Sequence, residues 1–158
     1  MSLLPFFEWC ENTAIGEAIR NSLWLFPVIE AFHLVALALI GGAVLLVNMR
    51  LLGLVMGERP VSELARDAHP WFLGGLLVMF ASGIPLFLSE SIKCYYSVAF
   101  WVKMSALLTV LVFTFTVYRR VTLADEDHVR TLRGKLVAVV SLALWAAVGW
   151  GGRWIGFS

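Results

Sequence analysis

Long apolar stretches, separated by three short polar segments, dominate the hydropathy pattern of this chain. An α-helix needs about 20 predominantly apolar residues to cross the hydrocarbon core of a bilayer. Four stretches meet this requirement, at about residues 23–47, 69–89, 98–118 and 136–156. The pattern predicts an all-α integral membrane protein whose four transmembrane helices form a bundle.

The segment ahead of the first span, within residues 1–21, has a different character. It places Phe6, Phe7, Trp9 and Ile15 among acidic side chains. Large apolar side chains interleaved with charges are typical of a helix that lies in the membrane interface. We therefore expect a short N-terminal interfacial helix before the four-helix bundle.

The composition supports a membrane protein and limits its functions. Hydrophobic residues make up 60% of the chain and charged residues 15%, against about 45–50% and 25% in globular proteins. The length of 158 residues allows one membrane domain, residues 1–158, without a sizeable soluble part. With a net charge of +1 and no basic tail, nothing predicts nucleic-acid binding, and the expected partner is the lipid bilayer.

The basic residues predict how the bundle is oriented. Eight of the twelve Lys and Arg residues flank or lie in the first and third connections between spans. Short loops rich in Lys and Arg stay in the cytoplasm. We expect a multi-pass protein of the bacterial inner membrane with both termini on the periplasmic side.

The two cysteines, Cys10 and Cys94, both fall on the predicted outer side. An oxidising outer compartment permits disulfides. We predict a Cys10–Cys94 disulfide that holds the N-terminal segment over the second connection. Two unrelated free thiols are the alternative.

Four ionisable side chains inside the spans are concentrated in the predicted outer half. At about 1.5 Å per residue, Glu30 lies roughly 10 Å and His33 roughly 15 Å below the outer edge, with Lys103 and Arg153 nearer the surface. The inner half has almost no polar groups besides hydroxyls. Intramembrane charges mark functional sites by default, so we treat this layer as the candidate site.

Three interpretations of this layer remain open. In a structural one, Glu30 pairs with Lys103 or Arg153 and locks the helices together. In a second, His33 is an axial ligand of haem b, because a single proximal His can hold haem iron, and Lys103 and Arg153 meet the propionates. In a third, Glu30 and His33 form a Glu-x-x-His metal motif, which needs further ligands from another protomer and suits copper or another single metal ion.

A sixth ligand for a haem iron would have to come from the level of His33. Met79, in the middle of the second span, lies at about this depth, although a buried Met is more often a packing residue. His69 opens the predicted second span roughly 15 Å away along the membrane normal, so we interpret it as an interfacial helix-start residue. A five-coordinate or His/Met iron is therefore expected over a bis-His iron.

The chain resembles an uncharacterised family of small bacterial four-helix inner-membrane proteins. The resemblance rests on "WLFPVIEAFHLVALALIGGAVLLVNMRLLG", "HPWFLGGLLVMFASGIPLFLSE", "FWVKMSALLTVLVF" and "SLALWAAVGWGGRWIGF". More distantly it is similar to HemJ-type protoporphyrinogen oxidases and CopD-type copper-resistance domains. The HemJ type has a first-helix His, an Arg at its inner end and a third-helix Lys after a Trp, matched here by His33, Arg50 and Lys103. This resemblance implies haem b with His33 as ligand, although the third-helix His of that type is missing from "WVKM".

These observations predict a cofactor-binding membrane protein, with haem b leading, in electron transfer or a haem-linked oxidoreductase role. His33 would ligate the iron, Lys103 and Arg153 would hold the propionates, and Glu30 would orient His33 or relay a proton. The alternatives are a copper-handling protein and a non-catalytic subunit or scaffold. Small-residue helix faces are compatible with a homo-oligomer or a membrane redox partner.

Overall fold

The computed structural model of the protein describes residues 3–124 and 131–155, and helices are the only regular elements in those ranges. Three short helices lie near the membrane-spanning ones: α1 (Leu4–Glu11), α2 (Ala14–Arg20) and α5 (Ser91–Tyr96). The long elements are α3 (Leu25–Leu51), α4 (Val61–Ser89), α6 (Val98–Phe113) and α8 (Leu132–Ile155). Helix α6 continues without a break through a π-helical turn, Thr114–Tyr118, into α7 (Arg119–Thr122).

Four helices are long and apolar enough to cross a membrane, which makes the chain a multi-pass membrane protein. They cover Leu25–Leu51, Val61–Ser89, Val98–Thr122 and Leu132–Ile155. Most of their outward side chains are apolar, as lipid contact requires. The predicted all-α four-helix fold is confirmed, and residue 156, the predicted end of the fourth span, lies outside the described residues.

The helices of the structure differ in two details from the approximate predicted segments. The N-terminal segment forms two helices, α1 and α2, because Thr13 caps the second by accepting a hydrogen bond from the Gly16 N–H. Helix α4 begins at Val61 and not near His69. Pro60 precedes its first turn, and Val61 and Leu64 bury an apolar stripe, so the amphipathic connection predicted there is helical. His69 therefore lies two turns inside α4.

Helix α3 packs on α4 and also contacts α8, and α8 packs on α6. The close approach of α3 and α4 depends on Gly75, where a Cβ would lie 2.7 Å from Ile40 Cγ1. Two apolar clusters fill the core. One contains Ile40, Val44, Phe72 and Leu76, and the other contains Val47, Leu51, Val61, Leu64 and Ala138.

The short helices close one end of the bundle, which we call the terminal end. Phe7 of α1 contacts the rings of Phe87 and Tyr95 at 5.5 and 5.2 Å. The Glu11 carboxylate accepts a hydrogen bond of 2.6 Å from the Ile92 N–H in the first turn of α5, where a negative charge also meets the positive end of the helix dipole. The opposite end, with the connections 52–60 and 123–131, we call the basic end.

Candidate functional site: His33 and a basic-end pocket

His33 lies on the inward side of α3, half-buried against α4. Its Nδ1 is 2.9 Å from Ser82 Oγ. The Ser82 hydroxyl donates its own proton to the Val78 carbonyl at 2.6 Å. Because that proton is committed, Ser82 Oγ accepts from the ring, so Nδ1 carries the hydrogen and Nε2 keeps its lone pair.

Gly83 makes this approach possible. A Cβ at Gly83 would lie 3.2 Å from His33 Cε1, tighter than ordinary van der Waals contact. The pair Ser82–Gly83 thus supplies both the hydrogen-bond partner and the space that the imidazole needs. Neither residue was singled out by the sequence, although a Ser-Gly pair in the middle of an apolar span was the available signal.

Lys103 is the second polar group that the fold brings to this region. Its aliphatic chain runs along α8, with Cβ 3.1 Å from the place of a Gly151 Cβ and Nζ 3.5 Å from that of a Gly152 Cβ. Within residues 3–124 and 131–155, its ammonium has no hydrogen bond or ion pair. It lies close enough to His33 for an electrostatic interaction between the two.

The other predicted site residues differ from His33 and Lys103 in their surroundings. Glu30 and Arg153 are exposed on the outside of the bundle. Across the described residues the Glu30 carboxylate has no hydrogen bond or ion pair, so Ser82, and not Glu30, orients His33. The Met79 side chain packs against the Ile40–Phe72 core cluster. His33 and Lys103 are thus partly buried, whereas Glu30 and Arg153 are exposed.

A metal site requires several His, Cys, Asp or Glu side chains close together. In the described part of the chain, no three His, Cys, Asp or Glu side chains lie together as a candidate metal site. Among the described residues, His33 is therefore not part of a group of three such side chains, and its Nε2 carries no hydrogen in the tautomer that Ser82 sets.

Cys10 and Cys94 are two buried free thiols in this structure. The helices that carry them, α1 and α5, pack against each other at the terminal end. Burial raises the pKa of the Cys94 thiol to about 11, and the nearby Glu90 carboxylate acts in the same direction. The Cys10–Cys94 disulfide stays a prediction.

A cavity at the basic end was missed by the sequence analysis. We call it the basic-end pocket. It has a volume of about 260 Å³ and lies between α3, α4, α8 and the π-helical turn. Its lining consists of Ala43, Val44, Val47, Ala65, Arg66, Ala68, His69, Phe72, Thr114, Phe115, Tyr118, Arg119, Thr122, Leu123 and Trp145.

Three lining side chains of this pocket have buried polar atoms without a partner. In the described residues, no hydrogen bond reaches Thr114 Oγ1, Tyr118 Oη or Trp145 Nε1. Buried polar atoms are almost always paired, so each exception needs an explanation. The π-helical turn adds a second unusual feature, because such turns occur frequently at functional sites. In the sequence, the signals for this pocket were Trp145 and Tyr118, which lie away from the predicted outer surface.

Comparisons with known proteins add a family but no activity. No curated protein and no solved structure gives a significant match to the chain. One family profile matches residues 6–158, which is nearly the whole sequence, and its description is a family of unknown function. The chain therefore belongs to the DUF6644 family.

Proposed function

We propose that the protein binds haem b at the terminal end of the bundle and serves in electron transfer or a haem-linked redox role. The observation that carries this proposal is the hydrogen bond from His33 Nδ1 to Ser82 Oγ. Histidines that ligate metals almost always donate the other ring N–H to a fixed acceptor, which sets the tautomer and the ring orientation. His33 has this arrangement with Nε2 as the free ligand atom.

The available donor groups fit a haem better than a bare ion. A porphyrin brings four nitrogen ligands of its own, so one imidazole is sufficient to hold the iron. Lys103 supplies a positive charge without a carboxylate partner within the described residues, and the propionates of haem b are such carboxylates. When bound, the haem would supply one-electron chemistry.

The chain's own contribution is to hold and orient the ligand. Ser82 keeps the His33 ring in one tautomer, and Gly83 leaves room for it. Lys103 is held in place by its contacts along Gly151 and Gly152, with its ammonium beside Gly152 of α8. We further propose, from the charge pattern, that the terminal end faces the periplasm of a bacterial cell.

An absorption spectrum tests the proposal directly. Protein purified in detergent from haem-replete cells should show a Soret band that shifts on reduction. His33→Ala should lose this band while the far-UV circular dichroism stays helical, and added imidazole should restore part of it. His69→Ala is the matched control, because His69 lies in α4 at the basic end, and this variant should keep the band.

Three results would contradict the proposal: a colourless wild-type protein, a band that survives in His33→Ala, or an equal loss in His69→Ala. Elemental analysis of the same preparations tests the copper alternative, since stoichiometric copper in a colourless protein would favour metal handling. A protein with neither haem nor metal would favour a scaffold role.

A further inference from the structure

The basic-end pocket combines three features that point to a ligand of its own. It has an apolar, aromatic wall, it has buried hydrogen-bonding groups at its inner part, and it has cationic side chains at its outer part. None of these features belongs to the His33 site, since the pocket is lined by residues of the opposite end of the bundle.

The positions of the lining residues give the pocket a direction. Arg66 and Phe72 are six residues apart on α4, which is about 9 Å along the helix axis. Arg119 follows Thr114 by one π-helical turn and lies nearer the basic end of its helix. The arginines thus mark the outer part of the pocket, and Phe72, Thr114 and Trp145 mark its inner part.

The outer part favours an anion. Arg66 and Arg119 are both exposed, and neither has an ion pair with any residue in 3–124 or 131–155. The carboxylates nearest to Arg66 along the helix are engaged elsewhere, because Arg59 binds Glu63 at 2.7 Å and Asp67 at 3.3 Å. Two guanidinium groups at one cavity can form charge-assisted hydrogen bonds to a carboxylate or phosphate.

The middle of the pocket favours an aromatic ring. Phe72 meets the Phe115 ring at 6.3 Å and the Trp145 ring at 5.7 Å, the latter edge to face. An aromatic wall stabilises an inserted ring beyond simple area burial. At about 30 Å³ for each water-sized group, a volume of 260 Å³ accommodates roughly nine such groups, the size of one substituted ring.

The inner part favours a polar oxygen on the ligand. The Trp145 indole N–H is a donor only, and the hydroxyls of Thr114 and Tyr118 can donate or accept. These atoms are covered in the pocket, so a ligand oxygen pairs with them by displacing the side-chain atoms that cover them. Such pairing would relieve a burial cost of about 1–3 kcal/mol for each group.

We propose that the basic-end pocket binds a small aromatic anion, with the anionic group at Arg66 and Arg119 and a polar oxygen next to Trp145. The two polar ends of the ligand are separated by one ring. This site is independent of the proposed haem site, and either can fail without the other.

A set of three matched probes tests the proposal on the full chain in detergent, by isothermal calorimetry and by the rise in melting temperature. 4-Hydroxybenzoate carries both polar ends, benzoate lacks the inner oxygen, and methyl 4-hydroxybenzoate lacks the charge. We expect saturable binding of 4-hydroxybenzoate, at least tenfold weaker binding of each other probe, and a larger melting shift with the first.

Two double variants distinguish specific binding of the anion by Arg66 and Arg119 from a general effect of positive charge at the basic end. Arg66→Gln combined with Arg119→Gln should weaken 4-hydroxybenzoate binding at least tenfold. Arg120→Gln combined with Arg133→Gln removes the same charge from the same end, but neither residue lines this pocket, and binding should persist. Thr114→Val or Trp145→Phe should weaken 4-hydroxybenzoate but leave benzoate unchanged, which also shows that the variant is folded.

Several outcomes would overturn the proposal. They are equal binding of the acid and its methyl ester, equal weakening by the two double variants, and the absence of saturable binding by all three probes to the folded protein. If an anionic phospholipid such as phosphatidylglycerol displaces the probe and binds with the same dependence on Arg66 and Arg119, the natural ligand is a lipid headgroup, and the aromatic assignment is wrong.

Discussion

At the terminal end of the bundle the Glu11 carboxylate accepts a hydrogen bond from the Ile92 N–H, whereas at the basic end the Trp145 indole N–H has no partner among the described residues. The same contrast holds for hydroxyls. Ser82 connects His33 to the Val78 carbonyl, and Thr114 Oγ1 has no partner within residues 3–124 and 131–155. Glu11 and Ser82 thus use their oxygens to hold helices together at the terminal end, where the Lys103 ammonium still has no partner among the described residues, whereas the basic end has unpaired polar atoms in residues that line a cavity. An intramembrane charge and a cavity therefore lie at different ends of this bundle.

The largest loss of stability is expected at Gly16, where the terminal end is packed tightly. A Cβ at Gly16 would lie 2.4 Å from the Leu88 carbonyl oxygen and 2.9 Å from that of Glu11. Gly16→Ala must displace backbone, so it should lower the free energy of unfolding by about 3 kcal/mol. Thermal unfolding in detergent, followed by circular dichroism, measures the change.

Gly57 provides the control at the basic end, because a Cβ there meets no atom within 4 Å. Gly57→Ala should change the free energy of unfolding by less than about 0.5 kcal/mol. Equal losses from the two substitutions would show that the packing of the two ends does not differ as described.

Removal of a hydroxyl should affect the free energy of unfolding differently at the two ends, with a loss at Ser82 and no loss at Thr114. Ser82→Ala removes the Ser82 acceptor from the half-buried His33 ring. It should lower the free energy of unfolding by about 1 kcal/mol, because the Met79 carbonyl still interacts with the ring. Thr114→Val keeps the side-chain shape and removes an unpaired buried oxygen, so it should leave stability unchanged or raise it by about 1 kcal/mol. Chemical unfolding of both variants beside the wild type measures the two changes, and a loss at Thr114 as large as at Ser82 would refute the comparison.

The smallest expected effect on stability comes from the buried thiol of Cys94 at the terminal end, and it occurs only at alkaline pH. The pKa of Cys94 in the folded protein is about 11, above its ordinary value of 9.0. The unfolded thiol therefore loses its proton first, so the stability from burying the neutral thiol is complete below pH 9 and declines towards pH 11. The wild type should lose more melting temperature over this interval than Cys94→Ser.

Alkylation provides a check on the same residue. Cys94 should resist iodoacetamide until the pH approaches 11, with or without reductant, if it is a free thiol. Labelling that appears only after reduction, at both Cys94 and Cys10, would instead establish the predicted disulfide. Fast labelling at pH 8 without reductant would contradict the burial of this thiol.

Much of the fold could be predicted because lipid imposes a simple rule on the sequence. Four apolar stretches of sufficient length predict four helices, and the structure confirms them. The start of α4 was misjudged because residues 61–68 are amphipathic, and a stretch with Pro70 at its end is also compatible with a loop. Proline in a long helix is tolerated where neighbouring groups satisfy the released carbonyls.

The candidate site was predictable only in part. The position of His33 within a span indicated a polar site, but spacing along one helix suggested Glu30 as its neighbour. Rotation of α3 against α4 instead turns His33 inward and leaves Glu30 exposed. The unpaired groups at Thr114 and Trp145 could not be recognised, because hydroxyls and indoles in a span are ordinary unless their surroundings are known.

The order of residues is sufficient to establish a four-helix membrane protein, because each helix that crosses the lipid needs a stretch of about 20 apolar residues. Which polar groups meet depends on how the helices pack. The partner of His33 is 49 residues away on another helix, and the pocket at the basic end forms from four separate elements. Such pairings depend on the relative rotation of the helices, which side-chain packing fixes and local sequence patterns do not encode.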